Sequence, residues 1–283
     1  MQKDSHCTIR REMKVILSRK GFDSENGKLP SVVMPDGAVV SFPIPAHGES
    51  VWYSDLQYKG LRYNDLLSDL HDGWANGTCH FDPDLDVARH VKRPKKWVPG
   101  FGQCSTSLSY LLDTVGVKPG DLFLFFGWFH FVERVDGKFR YVRKHVDYFH
   151  CHDMHLLWGY LQVGEILCDH QEKAKRLPWH PHAADYRASD PHDNIFVARK
   201  SLSFAPSLPG AGLLPYSPRH VLTLEGMSKA YWKYNKVYDP EHIIGSRKNS
   251  ARGEGIYYSG IWQELGLQES KSTEAWAKRM ILA

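Results

Sequence analysis

The chain has 283 residues, of which 42% are hydrophobic and 24% are charged, and its formal net charge is +4. This apolar content suffices for a sizeable core, while the lack of any run of about eighteen apolar residues argues against a membrane span. Five cysteines without a CxxC pair, and a polar N-terminus without an apolar segment, predict a reduced cytoplasmic protein rather than a secreted disulfide scaffold or a thiolate zinc protein.

The first predicted elements are β-strands. Residues 1–13 are interpreted as a polar N-terminal extension, and residues 14–283 as a single domain. Residues 14–17 form a short apolar run, which predicts the first strand, and a polar loop over 18–30 follows it. Two β-rich runs flank Pro35-Asp36-Gly37, which predicts a hairpin because proline fixes φ and glycine tolerates positive φ.

The centre of the chain alternates between helical and strand patterns. Apolar residues at helical spacing predict a helix over 63–71 and a stronger one over 105–115, where Ser105, Thr106 or Ser107 can cap the first turn. The near-continuous apolar run 122–131 predicts a buried strand, and Asp136-Gly137 predicts a hairpin turn after it. A second buried strand is predicted over 156–167.

The last predicted elements are a strand over 194–198 and a C-terminal helix over 273–281. Strands and helices do not alternate regularly, which favours an α+β protein with a mixed sheet or a partly open β-barrel and flanking helices. The order of the segments 120–129 and 158–165 resembles the barrels of PUA-like domains, which include the EVE and ASCH domains. That resemblance implies an aromatic-walled pocket for RNA or modified bases, and an ordinary buried strand pair explains the segments equally well.

A closer resemblance extends through most of the chain. It is carried by residues 13–24, 34–37, 42–45, 80–84, 102–103, 120–129, 155–165 and 180–182. On these blocks the chain resembles the nucleotide modification associated domain 3 family, whereas residues 222–239 follow the pattern poorly. The resemblance implies a role in nucleotide or DNA modification, often associated with phages, with nucleic acid, nucleotides and other pathway proteins as partners. It implies no particular reaction.

The segment 18–21 is the first candidate for substrate binding, because it opens a polar loop directly after the first strand. Arg19 offers a planar fork of donors and Lys20 a point charge, both of which suit phosphate. The GxxxxGK[ST] pattern of a P-loop is absent. Asp23 is either part of the site or the residue that neutralises Arg19, in which case the pair is structural.

Aromatic and amide side chains provide further candidates for contact with a base. Trp128 can stack on a base and Gln103 can read a base edge. The run 92–96 is basic and is followed by Trp97, so it either follows a phosphate backbone or forms a solvated loop. The small charge excess predicts weak, salt-sensitive affinity for nucleic acid.

The sequence His80-x-Asp82-x-Asp84 places three candidate ligands at alternate positions. In an extended segment such side chains point the same way, as a metal site or an acid–base pair requires. Pro83 favours a loop instead, in which Asp82 would accept hydrogen bonds from backbone N–H groups.

Further histidines gather at residues 150–155 and 180–182, and neutral imidazole binds zinc, iron and nickel. A divalent metal is therefore a candidate cofactor, with surface or core histidines as the alternative. The HExxH and deaminase signatures are absent. The candidate metal ligands are His80, Asp82, His155, His180 and His182.

These patterns predict a module that recognises or processes nucleobases in a DNA or nucleotide modification pathway. The alternatives are a metal-dependent hydrolase or nuclease acting on modified nucleic acid, and a structural partner in a modification complex. The predicted site, in one cleft, has Arg19, Lys20, Asp23, Gln103 and Trp128 for substrate binding and His80, Asp82, His155 and His180 for catalysis.

Overall fold

The computed structural model describes residues 12–71, 73–246 and 249–282. The strands are Val15–Arg19 (β1), Ser31–Val33 (β2), Val39–Val40 (β3), Gln57–Tyr58 (β4), Leu61–Arg62 (β5), Gly100–Cys104 (β6), Leu122–Val135 (β7), Lys138–Tyr141 (β8), Met154–Leu167 (β9), Asp193–Ala198 (β10), Ser201–Leu202 (β11), Ala205–Pro209 (β12), Ala211–Leu213 (β13), Tyr231–Lys233 (β14), Ser250–Arg252 (β15), Gly255–Tyr257 (β16) and Glu264–Leu267 (β17). The α-helices are Tyr63–Leu70 (α1), Ser105–Ser109 (α2), His170–Arg176 (α3) and Lys271–Leu282 (α4).

The main sheet is mixed and curls into a half-barrel, in the strand order β17-β1-β7-β9-β10-β6. Strands β1 and β7 are parallel, whereas β7, β9, β10 and β6 pair antiparallel in succession. Helices flank this sheet, so the predicted α+β class is confirmed. The sheet brings the C-terminal ends of β1 and β6 close to one another.

Local turn chemistry shapes both predicted hairpins. The β2–β3 hairpin turns at Asp36-Gly37, where Gly37 adopts a φ of +79°, a conformation that a residue without a Cβ adopts readily. The β7–β8 hairpin turns at Asp136-Gly137, and both residues have positive φ. Both predicted hairpins are confirmed.

The predicted helices form, but the N-cap residue of α2 is Cys104 and not Ser105, Thr106 or Ser107, as the sequence predicted. Helix α2 begins at Ser105 as expected but continues as a π-helix over Tyr110–Val115, and Gly116 ends it in the left-handed conformation. A glycine at this position satisfies the end of a helix without a steric penalty. The predicted C-terminal helix is α4, which extends two residues further towards the N-terminus.

Strand β9 lies at the centre of the core. Its first ten residues, from Met154 to Val163, are all buried, because side chains on both faces pack into apolar clusters. Phenylalanines of β7 and β6 contribute heavily, and Phe101 lies 4.9 Å from Phe123 and 5.2 Å from Phe125 between ring centroids. The sheet therefore provides a rigid base for the loops at its ends.

Most of the predicted polar N-terminal extension, residues 1–11, lies outside the described residues. Met13 is only 8% exposed and packs in the core cluster on one side of β1. The fold thus includes at least this last residue of the predicted extension. The single domain over 14–283 stays a prediction. Among the described residues, no helix has the length and apolar character needed to cross a membrane.

Candidate functional site

A cleft of about 420 Å³ opens at the ends of β1 and β6. Its volume lies within the range of small-molecule sites. It is lined by Arg19, Lys20, Gly21, Asp23, Asn26, Ile44, Ala46, His47, Glu49, His80, Asp82, Gly102, Gln103, Cys104, His182, Tyr186, Arg187 and Gln263. The loop after β1 and the segment around His80 therefore share one cleft.

Arg19 and Lys20 contribute positive charge at the end of β1. The Arg19 guanidinium lies 3.7 Å from an oxygen of Asp23, within ion-pair distance but beyond a hydrogen bond. Asp23 also accepts hydrogen bonds from the backbone N–H groups of Glu25 and Asn26, so it shapes the loop. Both sequence interpretations of Asp23 are thus compatible with its position.

Glu264 of β17 is a fully buried carboxylate behind the cleft. It lies 3.5 Å from Lys20 Nζ and accepts a hydrogen bond of 2.6 Å from Gln103 Nε2. The Gln103 Oε1 atom accepts the backbone N–H of Cys104. Both ends of the Gln103 amide are therefore occupied, and its predicted role in reading a base edge would require this network to rearrange.

His80 and His182 lie side by side in the lining of the cleft, with their Nε2 atoms facing each other. Their Nε2 atoms are 3.1 Å apart. The Nδ1 atom of His80 lies 2.8 Å from Glu49 Oε1, and the Nδ1 atom of His182 lies 3.0 Å from Asp193 Oδ2. Each imidazole thus has a carboxylate behind it and its second nitrogen turned towards the other ring.

Asp82 lies beside this pair of histidines. Its Oδ1 atom accepts a hydrogen bond of 2.6 Å from the backbone N–H of Gly102 and lies 3.3 Å from His180 Nε2. The Nδ1 atom of His180 accepts the backbone N–H of His182. Metal-binding atoms of His80, Asp82 and His182 all lie within 4.8 Å of one another.

Two glycines of β6 make room for the histidines. A Cβ atom on Gly102 would lie 2.0 Å from Cδ2 of His182, closer than any two such atoms can approach. A Cβ atom on Gly100 would lie 3.2 Å from Cδ2 of His180, which is a tight contact but not an overlap. The position of the His182 ring therefore depends on the missing side chain at Gly102.

Burial and neighbouring charges tune this cluster. Burial lowers the pKa of His182 to about 4 against the opposing hydrogen bond to Asp193, so the imidazole is neutral at neutral pH. Burial alone would raise the pKa of Asp82, but the adjacent His180 outweighs it and holds this pKa well below its usual range. Strongly shifted groups gathered in a cleft are typical of functional sites.

Asp193 is anchored from several sides. Its carboxylate accepts hydrogen bonds from Lys173 Nζ at 2.8 Å, from Arg187 at 3.0 Å and from His182. Burial opposes ionisation, yet these partners lower the pKa of Asp193 to about 2. The residue that orients His182 is thus held as a carboxylate.

His155 does not join the cluster, although the sequence grouped it with the other histidines. It lies in the core on β9, packed against Phe126, Trp232 and Tyr258. Its Nδ1 atom accepts the indole N–H of Trp232 at 3.0 Å. Trp128 is likewise outside the cleft lining, and the ammonium group of Lys229 lies 4.1 Å from the centre of its ring.

Replacing His155 with alanine is expected to destabilise the protein. The buried indole N–H of Trp232 would lose its acceptor, which costs about 1–3 kcal/mol of unfolding free energy. Urea denaturation measures this change, and the exposed His152→Ala variant is the control, with an expected effect within about 0.5 kcal/mol. Equal midpoints for the two variants would contradict a structural role for His155.

Two other predicted elements are separated from the cleft. Asp84 accepts two hydrogen bonds from the Arg93 guanidinium and one from the indole of Trp97. The backbone N–H of Asp82 bonds to the carbonyl oxygen of His80, so the chain turns here and the alternation expected of an extended segment ends. Arg93, within the basic run 92–96, is thus engaged by protein.

Five of the residues that complete the site were not predicted from the sequence, namely Glu49, Lys173, Arg187, Asp193 and Glu264. Each lies in a segment without a recognisable motif. The weak signal available for Asp193 was its position at the start of the strand predicted over 194–198. The family blocks covered none of these five.

The family model described as nucleotide modification associated domain 3 matches residues 14–274, nearly the whole chain. The chain belongs to this family. No curated protein and no solved structure matched the chain. Membership gives a role in nucleotide modification and confirms the resemblance seen in the sequence, and the cleft described above contains residues from several of the blocks that carried that resemblance.

Proposed function

We propose that the cleft binds one nucleotide unit and that the cluster of His80, Asp82 and His182 acts chemically on it, within a nucleotide or DNA modification pathway. The observation that carries this proposal is the composition of the cleft. Cationic side chains suited to phosphate and a buried cluster suited to catalysis line the same cavity of about 420 Å³. Family membership supports a nucleotide as the substrate class.

Arg19 is the best candidate for the phosphate contact. Its side chain donates no hydrogen bond to any residue in the described part of the chain, and it is 19% exposed. Its guanidinium donors therefore remain available to a ligand, in a geometry that matches phosphate oxygens. Lys20 adds a second positive charge near the same place, although Glu264 partly neutralises it.

The cleft volume favours a single nucleotide unit over a bound duplex. A duplex also requires a row of free basic side chains along a surface. The basic run 92–96 is a poor source of them, because Arg93 is held by Asp84, and the net charge of the chain is only +4. The proposed ligand is thus a free nucleotide or one nucleotide of a strand extended into the cleft.

Catalysis is favoured over simple recognition by the nature of the buried groups. A reader of bases needs amide and aromatic side chains that are free to contact the base. Here the amide of Gln103 is engaged at both ends and Trp128 lies outside the lining. Other amide and aromatic side chains line the cavity, but the two imidazoles and the carboxylate that meet there are groups that transfer protons or bind metal.

Isothermal titration with deoxynucleoside monophosphates and the matching nucleosides tests this proposal. We expect the wild type to prefer the phosphorylated ligand and Arg19→Ala to weaken its binding by about tenfold to a hundredfold, because a hydrogen bond to a charged group contributes about 1.5–3 kcal/mol. Binding of nucleosides should change little. Lys96→Ala removes an exposed positive charge outside the cleft and is the matched control.

A single-stranded oligonucleotide provides the second arm of the experiment. If the strand enters the cleft, its binding should weaken as salt rises, and Arg19→Ala should flatten the dependence by about one phosphate contact. If the wild type bound neither free nucleotides nor oligonucleotides, the proposed function would be contradicted.

A further inference from the structure

We infer that His80, Asp82 and His182 form a binding site for one divalent first-row transition-metal ion, with Glu49, Asp193 and His180 as the residues that orient the three ligands. This inference deepens the function proposed above, since it assigns the chemistry of the same cleft. The evidence for the metal site is the distances between the three side chains and their hydrogen-bond donors and acceptors, and it does not depend on a bound nucleotide.

The carboxylates beside His80 and His182 determine which nitrogen of each ring bears the proton. A carboxylate only accepts hydrogen bonds, so the Nδ1 atoms of His80 and His182 that face Glu49 and Asp193 must carry the protons. In the neutral rings the two Nε2 atoms then bear lone pairs, and these lone pairs face each other at 3.1 Å. Two acceptors at this distance need a positive species between or beside them.

The separation of the two nitrogens suits a shared metal ion. Imidazole nitrogens bind such ions at about 2.0–2.1 Å. At those lengths, two nitrogens 3.1 Å apart subtend an angle of about 95–102° at the ion, between the octahedral and tetrahedral values.

Asp82 supplies the third ligand and distinguishes a metal ion from a shared proton. Its side chain is only 2% exposed, and in the described part of the chain no lysine or arginine nitrogen lies within 4.0 Å of it or of Glu49. Its second oxygen accepts no hydrogen bond from any described residue. Buried carboxylates are normally paired with a cation or bound to a metal, so a divalent ion would satisfy this group and the two lone pairs together.

Each ligand also has an outer partner. Glu49 faces His80, Asp193 faces His182, and the backbone N–H of Gly102 holds Asp82. Carboxylates behind ligating histidines fix the ring orientation and make the free nitrogen more basic, which is typical of metal centres. Glu49 in turn accepts a hydrogen bond of 2.8 Å from the hydroxyl of Tyr186.

His180 belongs to the outer group. Because its Nδ1 atom accepts a backbone N–H, its proton lies on Nε2, the atom that faces Asp82. A protonated nitrogen cannot bind a metal. The ligand set is therefore two imidazoles and one carboxylate, which favours zinc or iron over magnesium or calcium. All three ligands line the cleft, so a bound ion could polarise a ligand held there.

Titration with Co²⁺ tests the site directly, because this ion reports its ligands through its visible absorption. Protein freed of metal by a chelator should bind one Co²⁺ per chain, and Zn²⁺ should displace it. His80→Ala and Asp82→Ala should abolish this binding, whereas Glu49→Gln should weaken it by about tenfold to a hundredfold. His145→Ala and His150→Ala are the controls, since these stacked rings lie outside the cleft, and both should bind Co²⁺ as the wild type does.

Circular dichroism establishes that each variant is folded, and the partly exposed His80 is the substitution least expected to affect folding. Absence of stoichiometric Co²⁺ binding to the wild type would overturn the inference and favour a proton shared by the two histidines. Binding that survives both His80→Ala and Asp82→Ala would also overturn it. Nucleotide titration of the metal-free protein distinguishes the two proposals. Nucleotide binding can be measured there even if no metal binds, and Co²⁺ binding can be measured even if no nucleotide binds.

Discussion

Lys173→Ala is expected to lower the free energy of unfolding by about 1.5–3 kcal/mol, because it removes a buried hydrogen-bonded cation from the Asp193 carboxylate, which keeps Arg187 as a second partner. The Lys173 side chain is 1% exposed and the Asp193 side chain is fully buried. The ammonium group donates to both the carbonyl oxygen and the carboxylate of Asp193. Urea denaturation monitored by tryptophan fluorescence measures the change.

The same helix offers a matched control. Lys175 forms an ion pair with Glu172, but its side chain is 76% exposed. Solvent screens such a pair, so Lys175→Ala should change the free energy of unfolding by less than about 1 kcal/mol. If both variants unfolded at the same urea concentration, the anchoring role of Lys173 would be excluded.

The elements that the sequence predicted correctly depend on local signals. The hairpin at Asp36-Gly37 follows from the conformational preferences of the turn residues, and the helix from Ser105 follows from its apolar stripe. The predicted cap was wrong, because the N-cap residue is Cys104, whose side chain makes no capping hydrogen bond. The change to a π-helix at Tyr110 has no comparable signal. The stripe at 108, 111, 112 and 115 has the spacing of an α-helix, so the sequence did not indicate the change.

The placement of His155 shows where periodicity fails. A strand buried on one face alternates apolar and polar residues, so a histidine on it can be assigned to a face. Strand β9 is buried on both faces from Met154 to Val163, and no alternation remains to be interpreted. Its partner Trp232 is also far away in sequence, so the hydrogen bond that fixes His155 could be known only from the fold.

The candidate site was predicted only in part, because some of its residues belong to no local pattern. Arg19, His80 and His182 drew attention through short local patterns, and the structure brings them to one cleft. Glu49 and Asp193 contribute to the site as partners of those histidines, and these contacts span 31 and 11 residues of sequence. A single carboxylate outside any motif carries no pattern, so its role appears only when the histidine it faces is known.

Gly102→Ala is expected to displace His182 from the histidine cluster while leaving His80, Asp82 and His182 themselves unsubstituted. An added Cβ atom would lie 2.0 Å from Cδ2 and 2.6 Å from Nε2 of His182, so the ring must leave its present position beside His80. Overpacking a buried site costs about 1–3 kcal/mol of unfolding free energy. If the cluster binds metal as inferred above, Co²⁺ affinity should fall by about a hundredfold or more, exceeding the usual effect of an outer residue.

Gly100→Ala is the matched control, because Gly100 lies two residues away and therefore on the same face of β6. Its added Cβ atom would come within 3.2 Å of His180 and 3.4 Å of Ile195, contacts that small shifts can relieve. We expect Gly100→Ala to retain Co²⁺ binding within about tenfold of the wild type, since His180 acts only as an outer partner of Asp82. Titration of the two variants side by side separates the geometry of His182 from general damage to the strand. If Gly102→Ala bound Co²⁺ as tightly as Gly100→Ala, the position of the His182 ring would not matter, and the arrangement of ligands described here would be wrong.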